Sequence, residues 1–276
     1  MHAVLRPVLL LSLVLALAAC KREADVPASG APAQEAAPVE TTPAAAAVRE
    51  LKDVIETQDS YIVGISYPPG LDKYPGLAQA VVAYSDAARA ELMQAVAAFG
   101  NDKPTAPYEL SLSFEKVVES PQVVAVAADG SRYTGGAHGE PLVARFVWLP
   151  AQGRLLTAND LVPRVEGWVA IGNYIREQLH TSVSVRADAD EMPPGERQQF
   201  VRSADKMIDE GTEPDVENYR EFQPIVDAQG RVTGIRFVFP PYQVGPYSDG
   251  TQTVDVPAAV LLPHIAPEYA GLFAIP

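Results

Sequence analysis

The chain has 276 residues, a formal net charge of −14, 47% hydrophobic residues and one cysteine, Cys20. So acidic a chain argues against nucleic acid as a partner, because that binding rests on Lys and Arg displacing counterions. It suits a cationic protein partner, or solubility alone, and a lone cysteine excludes an internal disulfide.

At the start, Arg6 precedes an apolar run from Val8 to Ala19 that closes in small residues. This is the layout of a secretory signal, and residues 1–19 are expected to be one. The run is about a dozen residues, against the roughly 20 that a spanning helix needs, so it is not expected to remain as a span. Leu17-Ala18-Ala19-Cys20 resembles the lipobox of bacterial lipoproteins, in which the cysteine becomes the first mature residue and is acylated. Cys20 is therefore the expected lipidation site, and the membrane a partner through that anchor. Several acyl chains hold far better than one, which binds only marginally. Lys21 follows, where Gram-negative lipoproteins retained in the inner membrane usually carry Asp. The expected location is thus the outer membrane, facing the periplasm.

Residues 20–47 are rich in Ala, Pro, Glu and Thr, with no aromatic residue and no apolar periodicity. Such a segment buries too little to offset its ordering entropy and reads as a disordered tether. Its reach is roughly 30 Å as a coil and roughly 80 Å as an extended polyproline-like chain.

Residues 48–276 have globular composition, read as an N-terminal half (48–150) and a C-terminal half (151–276). Tyr61, Val63 and Ile65 alternate in an extended stretch. Leu77, Val81, Tyr84, Ala88, Leu92, Ala95 and Phe99 recur at helical steps, with Gly100-Asn101 as the stop. Tyr108, Leu110, Leu112 and Phe114 alternate with polar residues as a half-buried strand. Residues 122–128 and 142–149 read as strands, with turns at 128–131 and 151–154. Thr157 to Asp160 has capping-box spacing ahead of a helix whose apolar face is Val165, Trp168, Ile171 or Gly172, Ile175 and Leu179. Pro193-Pro194-Gly195 precedes a shorter helix facing inward through Phe200, Ala204, Met207 and Ile208. Then come a strand at 222–226, a turn at 227–230, alternation at Ile235, Phe237 and Phe239, a Pro/Tyr loop, a strand near 253–256 and a helical turn near 258–262. Hairpin strands interrupted by a few helices predict an α+β fold with a largely antiparallel sheet.

Two stretches carry candidate sites: Tyr133-Thr-Gly-Gly-Ala-His-Gly-Glu-Pro141, and Phe239-Pro-Pro-Tyr-Gln-Val-Gly-Pro-Tyr-Ser-Asp-Gly250 running into Thr253-Val-Asp-Val-Pro257. Together with Leu156 to Leu161, their order and spacing over roughly residues 50–265 resemble one family. It is the extracytoplasmic domain shared by RsiV-type anti-sigma factors, the N-terminal portion of PdaC-type peptidoglycan deacetylases, and envelope lipoproteins. The resemblance implies an α+β ligand-binding ectodomain at the cell wall; RsiV binds lysozyme. Deacetylase chemistry in PdaC-like proteins belongs to a separate catalytic domain. This chain is expected to carry neither that domain nor the membrane helix and cytosolic segment of an anti-sigma factor.

Read from the residues, Gly135 and Gly136 supply backbone freedom for a tight turn with Tyr133 and His138 on either side. That turn is either a ligand-site rim or a structural turn whose histidine satisfies carbonyls. Tyr242 and Tyr247 suit stacking on a sugar or protein surface, or covering the core. The candidate ligand-binding residues are therefore Tyr133, Gly135, Gly136, His138, Tyr242 and Tyr247. His138, His180 and His264 show no metal-binding spacing, and no nucleophile elbow, Walker or dinucleotide pattern occurs; no cofactor, metal or catalytic residue is expected. An acidic run, Glu191, Glu196, Asp205, Asp209, Glu210, Glu213, Asp215 and Glu217, reads as a solvated face or a docking surface for a cationic protein. The leading expectation is a non-catalytic envelope lipoprotein binding a peptidoglycan-related ligand or a wall-acting protein such as lysozyme. The alternatives are an envelope glycan hydrolase or deacetylase-type enzyme using His138, and a structural or assembly role in the outer membrane.

Overall fold

The computed structural model describes residues 51–99 and 106–274, which fall within one unit, Ala45–Pro276. The expected signal, Cys20, the tether and the Gly100-Asn101 stop lie outside the described residues. The chain opens with β1 (Val54–Thr57) and β2 (Tyr61–Ser66), paired antiparallel. Helix α1 (Pro75–Ala98) then crosses over so that β3 (Tyr108–Glu119) lies parallel to β2. Strands β4 (Val124–Tyr133), β5 (Glu140–Leu149) and β6 (Arg154–Leu155) follow in antiparallel sequence, completing a six-stranded sheet in chain order.

The single turn α2 (Ala158–Leu161) leads into α3 (Val165–Ala189) and α4 (Pro194–Gly211). Strands β7 (Phe222–Val226), β8 (Val232–Phe239) and β9 (Gln252–Pro257) form a second, antiparallel three-stranded sheet, closed by α5 (Ala258–Leu261). The fold is α+β. Its sheets are antiparallel except where α1 makes the crossover.

Two cores explain the patterns. One buries Leu77, Val81 and Leu92 of α1 against Val63, Leu110, Leu112, Val124 and Val126. The other lies on the opposite face of the same sheet, where Val123, Ala125, Val147 and Leu149 meet Trp168, Ile171, Phe237, Phe239 and Val256. Val124 to Ala128 are all buried, because this middle strand is covered on both faces and has no solvent side to alternate toward. A bulge between Lys116 and Val118 shifts the register of β3. It puts Val118 in the second core although Phe114 belongs to the first, as an extra residue in a strand must do.

Two expectations are corrected. Residues 128–131 are not a turn: they lie inside β4, paired with β3 and β5. Gly130 is there for close approach, since a Cβ on it would sit 2.1 Å from the Ser111 carbonyl oxygen. The chain reverses after Tyr133 instead. Val165 is 55% exposed rather than inward. The capping box starts only the short α2; Pro163 keeps Val162 out of helical conformation, so α3 restarts with its buried face set by Trp168, Ile171, Gly172, Ile175 and Leu179.

Candidate binding site

The turn between β4 and β5 is fixed at its base by Arg132, which bonds Glu91 of α1 and, across the hairpin, Glu140 at 2.5 Å. These carboxylates hold the Arg132 guanidinium above the ordinary arginine value even though burial, the largest single influence, pulls it down. Gly135 and Gly136 take φ of +99° and +96°, which side-chain-bearing residues rarely adopt. The Tyr133 hydroxyl donates to the Gly136 carbonyl at 3.1 Å and braces the turn from inside.

His138 is exposed at the end of this turn. Its Nδ1 lies 3.1 Å from the Gly139 carbonyl oxygen, which can only accept, so the hydrogen-bond network assigns the proton of the neutral ring to Nδ1. Nε2 is then the acceptor for the Tyr242 hydroxyl at 2.8 Å. The Tyr247 ring stacks on the imidazole with centroids 4.0 Å apart and an interplanar angle of 19°. Tyr242 and Tyr247 are themselves 5.7 Å apart, tilted by 38°. Two loops a hundred residues apart in sequence thus converge on one three-ring cluster.

The second loop is held from behind. The Gln243 side-chain amide donates to the Gly211 carbonyl at 3.0 Å and the Asn218 carbonyl at 2.8 Å. Val244 is buried in the second core. Asp249 accepts from Arg186 of α3 at 2.8 Å. The backbone closes on itself through Tyr242 N–H to Gly245 O at 2.9 Å. In this frame Tyr242 has φ of +76° and is 53% exposed. A side-chain-bearing residue held in the left-handed region marks a position the surroundings over-determine, often at a ligand site.

Of the residues singled out in the sequence, His138, Tyr242 and Tyr247 come together, and Tyr133, Gly135 and Gly136 shape the turn that delivers His138. Arg132, Glu91, Glu140, Gln243, Arg186 and Asp249 support the site and were not singled out. Arg132 and Glu140 would have emerged as a cross-strand pair had the turn been placed after Tyr133; nothing in the sequence marks Gln243. Elsewhere, His180 sits between Asp205 at 2.6 Å and Asp209 at 3.5 Å. Glu210 pairs with Lys206, Glu217 with Arg220, and Asp215 caps a short 3-10 turn, so much of the acidic run is answered locally. Among the described residues no group of three or more His, Cys, Asp or Glu side chains is arranged to hold a metal ion, and no helix is long and apolar enough to cross a membrane.

Residues 54–140 match the family model described as "Deacetylase PdaC", and residues 168–259 match that described as "Protein of unknown function (DUF3298)". The chain is similar to these two families over those two segments. The PdaC segment runs from β1 to the start of β5 and contributes His138; the DUF3298 segment runs from α3 to α5 and contributes Tyr242 and Tyr247. The hydrogen bond from Tyr242 to His138 therefore joins the two segments. A crystal structure of a DUF3298 family protein from Pseudomonas aeruginosa is similar, with a TM-score of 0.50 and 14% identity over 82% of this chain and 94% of that one. A DUF3298 family member from Bacteroides fragilis gives a TM-score of 0.45 and 15% identity over 79% and 93%. At 14% identity the first of these likenesses is one of fold alone. No curated protein matches the chain.

Proposed function

We propose that this chain is a non-catalytic binding module of the bacterial envelope, tethered by lipid at Cys20 and engaging a wall glycan through the His138–Tyr242–Tyr247 cluster. The observation that carries this reading is the cluster itself: an exposed tyrosine with a left-handed backbone, aligned by an imidazole whose two nitrogens are both hydrogen-bonded. An imidazole so occupied orients a ring more readily than it moves a proton. Aromatic faces with a polar tip suit the alternating apolar and hydroxyl surfaces of a pyranose. The lipobox-like Leu17-Ala18-Ala19-Cys20 and the family resemblance support an envelope location at the outer membrane.

The test is co-sedimentation with insoluble peptidoglycan at near-physiological salt, with immobilised lysozyme as a parallel arm. The wild-type protein is expected to sediment with peptidoglycan, and Tyr242→Ala to lose at least tenfold in affinity with its unfolding cooperativity intact. Retention by lysozyme alone would transfer the role to a wall-acting protein partner. Binding to neither would overturn the reading.

A further inference from the structure

The loop that carries Tyr242 and Tyr247 also bounds a second feature. Val244, Gly245 and Asp249 line a small cavity against α3 and α4, about 110 Å³ in volume. Its apolar lining includes Val183, Ile208 and Val244, and its polar groups include Arg186, Asp249 and Gln252. Asp249 lies two residues from Tyr247 in one 3-10 turn, so cluster and cavity are consecutive parts of one support.

The size and chemistry of the cavity restrict what it takes. An apolar cavity of roughly 150 Å³ holds a benzene molecule. A space of 110 Å³ therefore admits a group of about four heavy atoms but not a sugar ring. Arg186 gives Nη1 to Asp249 Oδ2, and with a side chain 40% exposed it keeps guanidinium donors for a ligand carbonyl. Among the described residues Asp249 Oδ1 accepts from the Ser248 hydroxyl at a long 3.4 Å, which leaves it room to accept from a ligand N–H. Since the two charges cancel, the rim does not select an ion. A neutral group that offers one carbonyl, one N–H and one methyl matches it.

We propose that this cavity receives the acetamido group of an N-acetylated amino sugar: methyl inward on Val183, Ile208 and Val244, carbonyl oxygen toward Arg186, amide N–H toward Asp249. This rests on the proposed glycan-binding role of the cluster and names the sugar class it selects.

Calorimetric titration with a β-1,4-linked trimer of N-acetylglucosamine, against cellotriose, tests it. Both probes are neutral and share the linkage, so net charge does not bias the comparison. The wild-type protein is expected to prefer the N-acetylated trimer at least tenfold. Ala204→Leu and Val183→Phe, which fill the cavity from α4 and from α3, are each expected to bring that ratio within twofold of unity while cellotriose affinity holds. If one variant fails to fold, the other reads the same quantity. Equal binding of both trimers by the wild-type protein overturns the cavity assignment and leaves the cluster standing. No binding of either trimer overturns both.

Discussion

Tyr242 shows why a single residue can be poorly explained by stability. Left-handed backbone costs a β-carbon-bearing residue roughly 1–2 kcal/mol, and glycine avoids that cost. Tyr242→Gly and Tyr242→Ala both delete the ring, but only the first relieves the backbone. The glycine variant is therefore expected to exceed the alanine variant by about 1 kcal/mol, roughly 2–4 °C in a thermal melt at this chain length, while both lose glycan binding. Equal melting temperatures would mean that no strain is stored at residue 242.

Glu221 poses the opposite problem, a carboxylate in the wrong medium. Its Oε2 accepts from the Arg145 backbone N–H at 2.7 Å and its side chain is 12% exposed. Burial raises its pKa above the ordinary 4.5, outweighing the Arg145 N–H bond and the nearby Arg220 and Arg145 charges. A raised folded-state value means that the folded protein binds more protons than the unfolded chain in the window between the two values. This group's contribution to stability accordingly improves as pH falls from the raised value toward 4.5. Glu221→Gln is expected to raise stability at pH 7, with the gain vanishing below pH ~4; denaturant midpoints across that range check it. Glu56 acts in the other sense: the Arg89 hydrogen bond lowers its pKa, so its contribution is present above the ordinary value and lost on acidification.

Among the elements, legibility tracked exposure. Strand β3 was readable at 108–114 because one face meets α1 and the other meets water, leaving an alternating trace. Strand β4 is readable only as far as its apolar run, because its end has the composition of a turn. Asp129-Gly130-Ser131 has turn composition, but Gly130 is present because β3 passes too close for any side chain. Gly130→Ala is therefore expected to destabilise by about 3 kcal/mol, as overpacking does, where a turn glycine with negative φ would tolerate it. The capping box is a second element-level case. Thr157 Oγ1 accepts from Asp160 N–H at 3.1 Å, and Asp160 Oδ2 accepts from Thr157 N–H at 3.1 Å. Thr157→Ala is expected to cost about 1 kcal/mol, measured by chemical denaturation. Its spacing was visible in the sequence; the interruption at Pro163 that makes α2 a single turn was there too, but the apolar periodicity beyond it concealed the break.

At the scale of the whole molecule, the site is a product of assembly. His138 and Tyr242 belong to segments matching different family models, and neither segment alone forms the cluster. The sequence carried the ring-bearing residues, since Gly-Gly, Pro and Tyr in short order are unusual enough to single out. It did not carry their convergence, which depends on the second sheet packing against Val123, Ala125 and Val147, nor the clamp from Gln243 to the end of α4. Hydrogen–deuterium exchange with and without soluble N-acetylated wall fragments reads this convergence directly. Protection of residues 134–139 and 241–252, appearing together at one ligand concentration, is the predicted result. Protection of one loop alone, or of a surface remote from both, would contradict a shared binding cluster.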